Sequence, residues 1–565
     1  MKSQSAPKSI GSPVTILDTP AGRSGALPPE TARTAQAAAL AQKTLSIGIL
    51  ELIEDSASES WTDHAYRGLF KRLHASITPQ VVAVWCRQLE HRVTYATYYG
   101  QRDPITLLPD DLDVVFIASY TQASALAYAL AKAYKARGVL TVLGGPHAKA
   151  FPRDSLRFFD FVVQDCDKAL LDDLLRGRFD RRSVVTSGRT LTEIPSVEER
   201  MPELVAGGLV GSRIRRKNLV PLLTSVGCPY DCDFCVDWKN PYLLLPPERL
   251  DTDLRYVAKH LPGAMVTYHD PNFGVKFDQV LDVIEGIPKP QRSPYIMESS
   301  LSVLRGPRMK RLKETNCLFI APGIESWSDY SNKAGAGARV GREKLGIVVE
   351  HFRELRQYVP GLQANFLFGT DADEGDEPAQ LTKEFIHDVP FVWPTVNVPT
   401  PFGNTPLYDR ALANHQILEA MPFSLYYTPF LVTTMPRYRP VEYYDKLIDI
   451  YSMMTSSAML ARRFGRGSTM RFSLLNVLRT FAMRQDLAAL RLIRTKLATD
   501  DGFRAFHAGE SRVLPEFYQQ RYEKKLGRYA ELISRAERTP ELEEAAATTA
   551  SIRTAPPERS AVPVG

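Results

Sequence analysis

The residues best placed by type and spacing to do chemistry are three cysteines, Cys228, Cys232 and Cys235, spaced C-x3-C-x2-C inside the stretch TSVGCPYDCDFCVDW that runs from Thr224 to Trp238. Thiolates grouped this way bind a soft metal centre. Three of them leave one position of a cubane iron–sulfur cluster unfilled, and an open iron can bind a substrate or a cofactor. A structural zinc site is the competing reading. Closed zinc sites need four ligands, usually as two paired knuckles, and no second Cys-x2-Cys or His-x3-His lies nearby, with His260 and His269 isolated. A disulfide is the third reading. The spacing is metal-like and nothing marks the chain for export, which argues against it.

The loop must be held by what flanks it. The apolar run 221–226, followed by Gly227, reads as a buried strand entering a loop. Further strand candidates follow at 264–269, 295–298, 318–324, 363–368 and 395–398, counting 222–226 as the first of six. Helical stretches at 249–260, 277–285 and 342–358 separate them. Six βα units predict a partial barrel, with its chemistry at the carboxyl ends of the strands. His269-Asp270-Pro271-Asn272, Glu298, Glu325-Ser326 and Gly369-Thr370 stand at those ends. Asp270 and Asn272 could equally cap the next helix, and Glu325 could hold an ion pair.

Upstream, apolar runs at 45–50, 81–85, 114–118 and 139–143 read as strands, with helices at 65–73 and 124–137. This alternation predicts a parallel, doubly wound sheet, which binds ligands at the carboxyl ends of its strands. Ser119-Tyr120-Thr121 and Gly144-Gly145-Pro146-His147 follow two of those strands. Paired glycines let a backbone approach a ligand closely, and a plain strand-to-helix turn is the alternative. Cys86, Cys166 and Cys317 are lone cysteines on or beside apolar runs and read as small buried hydrophobes.

At 565 residues the chain has room for two or three domains. Its 44% apolar and 24% charged content is that of a globular protein, and a net charge of +6 gives no argument for nucleic acid. The basic cluster Arg213, Arg215, Arg216 and Lys217 reads as a solvated linker face. The N-terminus has no apolar signal region, and no run of apolar residues is long enough to cross a membrane. Residues 1–43 and 539–565 read as disordered, with a possible helical turn at 37–41. Residues 187–218 lack periodicity. Helical stretches at 443–463, 474–495 and 514–535, with Met453, Met454 and Met459 at helical spacing, read as a helical cap.

The cluster loop, with Phe234 before the third cysteine, resembles the signature of the radical S-adenosylmethionine (SAM) superfamily. Asp270-Pro271-Asn272 falls where that family contacts the SAM amino group. Gly323-Ile324-Glu325-Ser326 and Phe368-Gly369-Thr370 resemble its fourth- and fifth-strand motifs, and residues 399–408 resemble a Pro-x-Pro-Gly-Thr-Pro-Leu-Tyr run found in cobalamin-linked members, with an extra Asn. Gly144-Gly145-Pro146-His147 followed by Phe159-Asp160-Phe161-Val162-Val163 is similar to the cobalamin-binding domain that precedes many such barrels. The Asp-x-His-x-x-Gly signature is absent, so no axial cobalt ligand is named, and Gln164-Asp165-Cys166-Asp167 replaces the family's Gly-Glu-x-Glu.

The resemblance implies an α/β chain: a flavodoxin-like, doubly wound cobalamin-binding-type domain at 44–185, a linker at 186–218, a partial (βα)6 radical SAM barrel at 219–409 and a helical region at 410–538. It implies a [4Fe-4S] cluster on Cys228, Cys232 and Cys235, SAM near Phe234, Asp270, Asn272, Glu298 and Glu325, and cobalamin near Ser119, Thr121, Gly144, Gly145 and His147. The expected activity is methylation of an unactivated carbon by way of a 5′-deoxyadenosyl radical. A rearrangement or cyclisation without methyl transfer is the alternative, and a non-catalytic iron–sulfur redox module is a third reading. The implied partners are a small-molecule or lipid-like substrate and an electron donor such as a flavodoxin or ferredoxin, in the cytoplasm. No catalytic acid or base is singled out.

Overall fold

The computed structural model describes residues 15–16, 43–57, 67, 70–100, 102–211, 217–238, 240–464 and 470–544. The expectations for 1–42 (bar a short strand noted below), residues 65, 66, 68 and 69 of the helix expected at 65–73, the arginines of the basic cluster and 545–565 lie outside those residues.

The first unit is a sheet flanked by helices. Its strands are β1 (Thr15–Ile16), β2 (Ser46–Leu52), β3 (Arg92–Tyr98), β4 (Val114–Ser119), β5 (Leu140–Gly144), β6 (Phe161–Val163) and β7 (Ser183–Thr186), in the order β1-β7-β6-β5-β4-β2-β3. All pairings are parallel except β1 on β7. Helices α1 (Ile77–Gln88), α2 (Ser124–Ala136), α3 (Pro146–Ala150), α4 (Pro152–Leu156) and α5 (Lys168–Leu175) lie between them. Setting the β1 edge aside, this is the flavodoxin strand order, and its switch point lies between β2 and β4.

One sequence expectation is corrected here. Residues 81–85, Val-Val-Ala-Val-Trp, are not a strand but the middle of α1. Val81, Ala83, Val84 and Trp85 are all buried, so packing on both sides of the helix overrides their β preference. Pro79 sits in the first turn, where a missing N–H costs little. The second strand is instead β3, whose first three residues are partly or fully exposed.

After α6 (Met201–Ala206), which occupies part of the expected linker, comes the barrel. Its strands are β8 (Leu219–Leu222), β11 (Met265–Tyr268), β12 (Tyr295–Met297), β13 (Cys317–Ile320) with β14 (Gly323–Glu325), β15 (Gly361–Leu367) and β16 (Val392–Asn397), all parallel. The first strand ends earlier than expected. Ser225–Val226 (β9) pairs instead with Leu243–Leu244 (β10), an antiparallel hairpin that carries the cysteine loop. The fourth strand is split at Ala321-Pro322, where proline lacks a ladder donor. The outer helices are α7 (Pro247–His260), α8 (Phe277–Glu285), α9 (Pro307–Glu314), α10 (Gly341–Leu355) and α11 (Glu377–Asp388).

The remaining helices are α12 (Pro406–Ala413), α13 (Pro440–Met454), α14 (Ser457–Phe464), α15 (Met470–Thr499), α16 (Asp501–His507), α17 (Glu516–Leu526) and α18 (Arg535–Arg538). They tie the two units together. Lys525 pairs with Asp55, and Lys132 with Glu537 at 2.8 Å. On β15, Phe366 packs against Phe385 of α11, so the alternate residues Gly361, Gln363 and Asn365 face the barrel interior. Phe472 of α15 occupies the space that a side chain at Gly361 would need, within 2.4 Å of its Cβ position. Arg479 lies over Phe319 and Trp393. Helix α15 therefore closes the amino end of the barrel and leaves the carboxyl end for chemistry.

Candidate active site

The cysteine loop is shaped by Gly227. Its φ is +67°, and a Cβ there would meet the Pro241 carbonyl oxygen at 2.2 Å. Only glycine lets the strand turn this tightly against the returning chain. The Cys228 N–H donates to Asn240 O at 3.2 Å, Cys235 N–H to Cys232 O at 3.0 Å and Trp238 N–H to Cys235 O at 3.0 Å. All three thiols are free and partly or wholly buried. Burial pushes each thiol up, Cys235 to about 11, so a metal centre must displace their protons as it binds. Among the described residues no three His, Cys, Asp or Glu side chains converge on a single-ion site. Three thiolates on one loop suit a polynuclear centre, in which each thiolate holds a different iron.

A segment that follows β14 straps the loop down. Tyr330 stacks on Phe234 with ring centres 5.8 Å apart and donates to Asp233 at 2.6 Å, and Arg410 donates to the other oxygen of Asp233 at 2.6 Å. Ser331 lies 3.9 Å from Cys232. Lys333 sits 3.8 Å from Glu325. Burial pulls its pKa down, but Glu325 and the three neighbouring thiols outweigh this and hold it above the usual lysine range. Lys333 was not legible in the sequence, because nothing in a polar loop after a strand distinguishes one lysine. Glu325 ends β14 with φ +65°, a left-handed backbone that a non-glycine residue adopts only under constraint. Burial raises its carboxyl to about 7 despite Lys333.

Asp270 does something different from what the motif implied. It is buried, and it accepts hydrogen bonds from the Thr224 N–H at 3.1 Å, the Thr224 hydroxyl and the Ser225 hydroxyl at 2.6 Å. It neither caps a helix nor faces an open space; it braces the backbone that enters the cysteine loop. Asn272 is also buried, with its amide 3.4 Å from Ser300 Oγ. Replacing Asp270 by alanine strands three buried donors, at a cost of about 3 kcal/mol. The expected result is a lowered urea midpoint together with loss of iron from the anaerobically reconstituted protein. Iron retained in full with a weakened SAM affinity would restore the direct-contact role.

In the first unit, a cavity of about 370 Å³ opens at the carboxyl ends of β4 and β5. Its walls are largely apolar, including Val82, Trp85, Phe116, Leu170 and Leu174, and Ser119, Gly144, Gly145 and the run Gln164-Asp165-Cys166 line it as well. A Cβ at Gly144 would meet nothing within 4 Å, whereas Gly145 has φ +89° and its Cβ position lies 3.1 Å from the Ser119 backbone. A largely apolar cavity that spans the carboxyl ends of β2, β4 and β5, across the switch point and up to the glycine pair that ends β5, fits the nucleotide tail of cobalamin. Thr121 and His147 are corrected: neither reaches this cavity. The His147 ring is fully buried, 2.6 Å from Tyr128 Oη and 3.4 Å from Thr121 Oγ1, and burial holds it neutral with a pKa near 3. The buried acid on the cavity wall, which sequence reading passed over inside an apolar strand, is Glu51. It accepts from Tyr95 at 2.8 Å and Thr97 at 3.2 Å, and burial raises it to about 7.

The two sites are neighbours. Val236 and Asp237, immediately after Cys235, line the same cavity as Gly144 and Ser119. Lys149 of α3 donates to Asn240 at 3.3 Å, the residue whose carbonyl holds the Cys228 N–H. The run at 399–408 completes the junction. Leu407 N–H donates to Asp233 O at 3.0 Å, Asn404, the residue extra to the family pattern, bonds to Lys149 O, and Gly403 is pressed against Ala150. Beyond them, His74, Glu298 and Asp486 keep accessible surface. Asp486 is on the inward face of α15, with the buried Leu490 and Ile493. Burial pushes His74 and the adjacent His269 down to about 4, so both are neutral at pH 7. The Glu298 carboxyl has no hydrogen-bond partner among the described residues, and burial raises its pKa.

No family model matches the chain. The bacteriochlorophyllide d C-8(2)-methyltransferase of Chlorobaculum tepidum is 23% identical over 398 residues, covering 67% of this chain and 85% of its own. The hopanoid C-2 methylase of Rhodopseudomonas palustris is 26% identical over 289 residues, covering 47% of this chain and 51% of its own. Among solved structures, the cobalamin-dependent S-adenosylmethionine radical enzyme OxsB, with aqua-cobalamin bound, matches at a TM-score of 0.54 over 86% of this chain and 80% of that one, with 11% identity. The chain shares the fold of OxsB, and both of these curated proteins are methyltransferases.

Proposed function

We propose that the chain is a cobalamin-dependent radical SAM enzyme that methylates an unactivated carbon. The observation that carries this reading is the shared wall: the residues directly after the third cysteine line the cavity of the doubly wound unit. Two cofactors bound at these sites would meet at the junction of the two units, as transfer between them requires. When bound, the cluster with SAM supplies a 5′-deoxyadenosyl radical and cobalamin carries the methyl group. The chain's own residues position and enclose. Cys228, Cys232 and Cys235 hold the cluster, and Phe234 packs beside it under Tyr330. Lys333 and Glu325 present a buried charge pair suited to the amino-acid end of SAM. Ser119, Gly144 and Gly145 admit the cobalamin tail. Glu298, His74, His269 and Asp486 are the titratable groups that would meet a substrate.

An external one-electron donor of the flavodoxin or ferredoxin type completes the system, in a reducing, cytoplasmic setting that six free cysteines suit. No helix among the described residues is long and apolar enough to cross a membrane. The test is anaerobic incubation of the cluster- and cobalamin-loaded protein with SAM and a reductant. Both 5′-deoxyadenosine and S-adenosylhomocysteine are expected. 5′-Deoxyadenosine alone would point to rearrangement or cyclisation without methyl transfer, and neither product would refute the radical reading.

A further inference from the structure

Among the described residues, nothing covers the outward face of α15. Leu474, Leu478, Phe481 and Leu492 are 58%, 40%, 54% and 45% exposed, and Phe464 at the end of α14 is 56% exposed. On a helix the four α15 residues fall within one narrow stripe, with Gln485 and Ala488 between them, also exposed. The opposite face, through Leu487, Leu490, Ile493 and Leu497, is buried against the rest of the molecule. So this helix is apolar on two sides, of which the fold uses one.

The charge around the stripe says what covers it. Residues 457–499 contain nine arginines and lysines and one acid, Asp486, a net charge of +8 in a chain whose total is +6. The rest of the protein is therefore slightly acidic, and the excess lies within residues 457–499. Not all of it is free: Arg463 is buried, Arg479 turns inward over Phe319 and Trp393, Arg494 pairs with Asp445 and Lys496 with Asp500. Arg484 and Arg491 are exposed along one edge of the stripe by helical spacing, and Arg462 is exposed on α14. An apolar stripe edged by arginines, on a helix too polar to span a bilayer, has the composition of a segment that lies in a membrane interface. A second protein surface would have no need of so one-sided a charge, whereas an anionic lipid leaflet attracts each basic residue near it.

We propose that α14 and α15 dock the protein on an anionic lipid bilayer, with Leu474, Leu478 and Phe481 entering the headgroup region.

The test is co-sedimentation of the full-length holoenzyme with vesicles of phosphatidylcholine, with and without phosphatidylglycerol, at low and high salt. Binding is expected with the anionic vesicles at low salt, and at least tenfold weaker with neutral vesicles or at high salt. Leu478→Glu with Phe481→Glu, and separately Arg462→Gln with Arg491→Gln, should each weaken binding at least tenfold while iron content and far-ultraviolet dichroism stay unchanged. No pelleting with anionic vesicles, or equal pelleting of the folded variants, overturns the proposal. So does a dimer on size exclusion that Leu478→Glu with Phe481→Glu converts to monomer, since the stripe would then be covered by a second copy.

Discussion

Changing Cys228, Cys232 or Cys235 singly to alanine is expected to abolish reductive SAM cleavage and to strip iron from the reconstituted protein. The loss should exceed the roughly 100-fold that follows when only a ligand's supporting partner is removed. The reason is the number of ligands. Three thiolates, presented by one hairpin loop, are the fewest that hold a cubane while leaving an iron open, and no nearby fourth cysteine can substitute. Cys317→Ala is the control. That thiol is buried in the wall of the barrel, where burial pushes it up to about 12, and it lies on a different element from the loop. Its alanine variant should keep iron and SAM cleavage. Iron by metal analysis and 5′-deoxyadenosine by chromatography read both. SAM cleavage surviving in a Cys232→Ala protein would sink the cluster assignment.

Gly144→Trp should separate the two cofactors. The Cβ of residue 144 points into open space in the cavity wall, so an indole can be built there without backbone strain, and it would fill the volume assigned to the cobalamin tail. Overpacking on that scale costs about 3 kcal/mol, more than a hundredfold in affinity. After loading with hydroxocobalamin and removal of the excess, wild type should retain near-stoichiometric corrin absorbance and the variant almost none. Iron content and 5′-deoxyadenosine formation should persist, while S-adenosylhomocysteine formation is lost. Corrin retained by Gly144→Trp would mean that the cavity is not the tail site. Gly145 is a poorer place for this test, because its φ of +89° and its contact with the Ser119 backbone would make any substitution a folding defect.

Much of the site's frame is local chemistry. C-x3-C-x2-C identifies a cluster loop because thiolate count and spacing are contiguous in the chain, and Gly227 marks the turn before it. The alternation of strands and helices identifies two α/β units because each strand's burial is written into its own apolar residues. Where local preference and packing disagree, the reading failed: 81–85 is β-branched and aromatic, yet it is helical because both its sides are covered.

Side-chain direction was decided elsewhere. Asp270 and Glu298 both follow barrel strands and look alike in sequence. One turns inward to hold Thr224 and Ser225, and the other keeps accessible surface with no hydrogen bond to its carboxyl among the described residues. His147 belongs to a motif at the carboxyl end of a strand, but Tyr128, 19 residues upstream, holds its ring in the core. Lys333 reaches the thiols only because the strap folds back over the loop. The composition and spacing of the chain determined which cofactor centre could form and on which kind of fold. Only the tertiary structure decided which polar groups face it, because a side chain's partner is chosen by residues far along the chain, as Arg410 is for Asp233, and by the desolvation cost of leaving it without one.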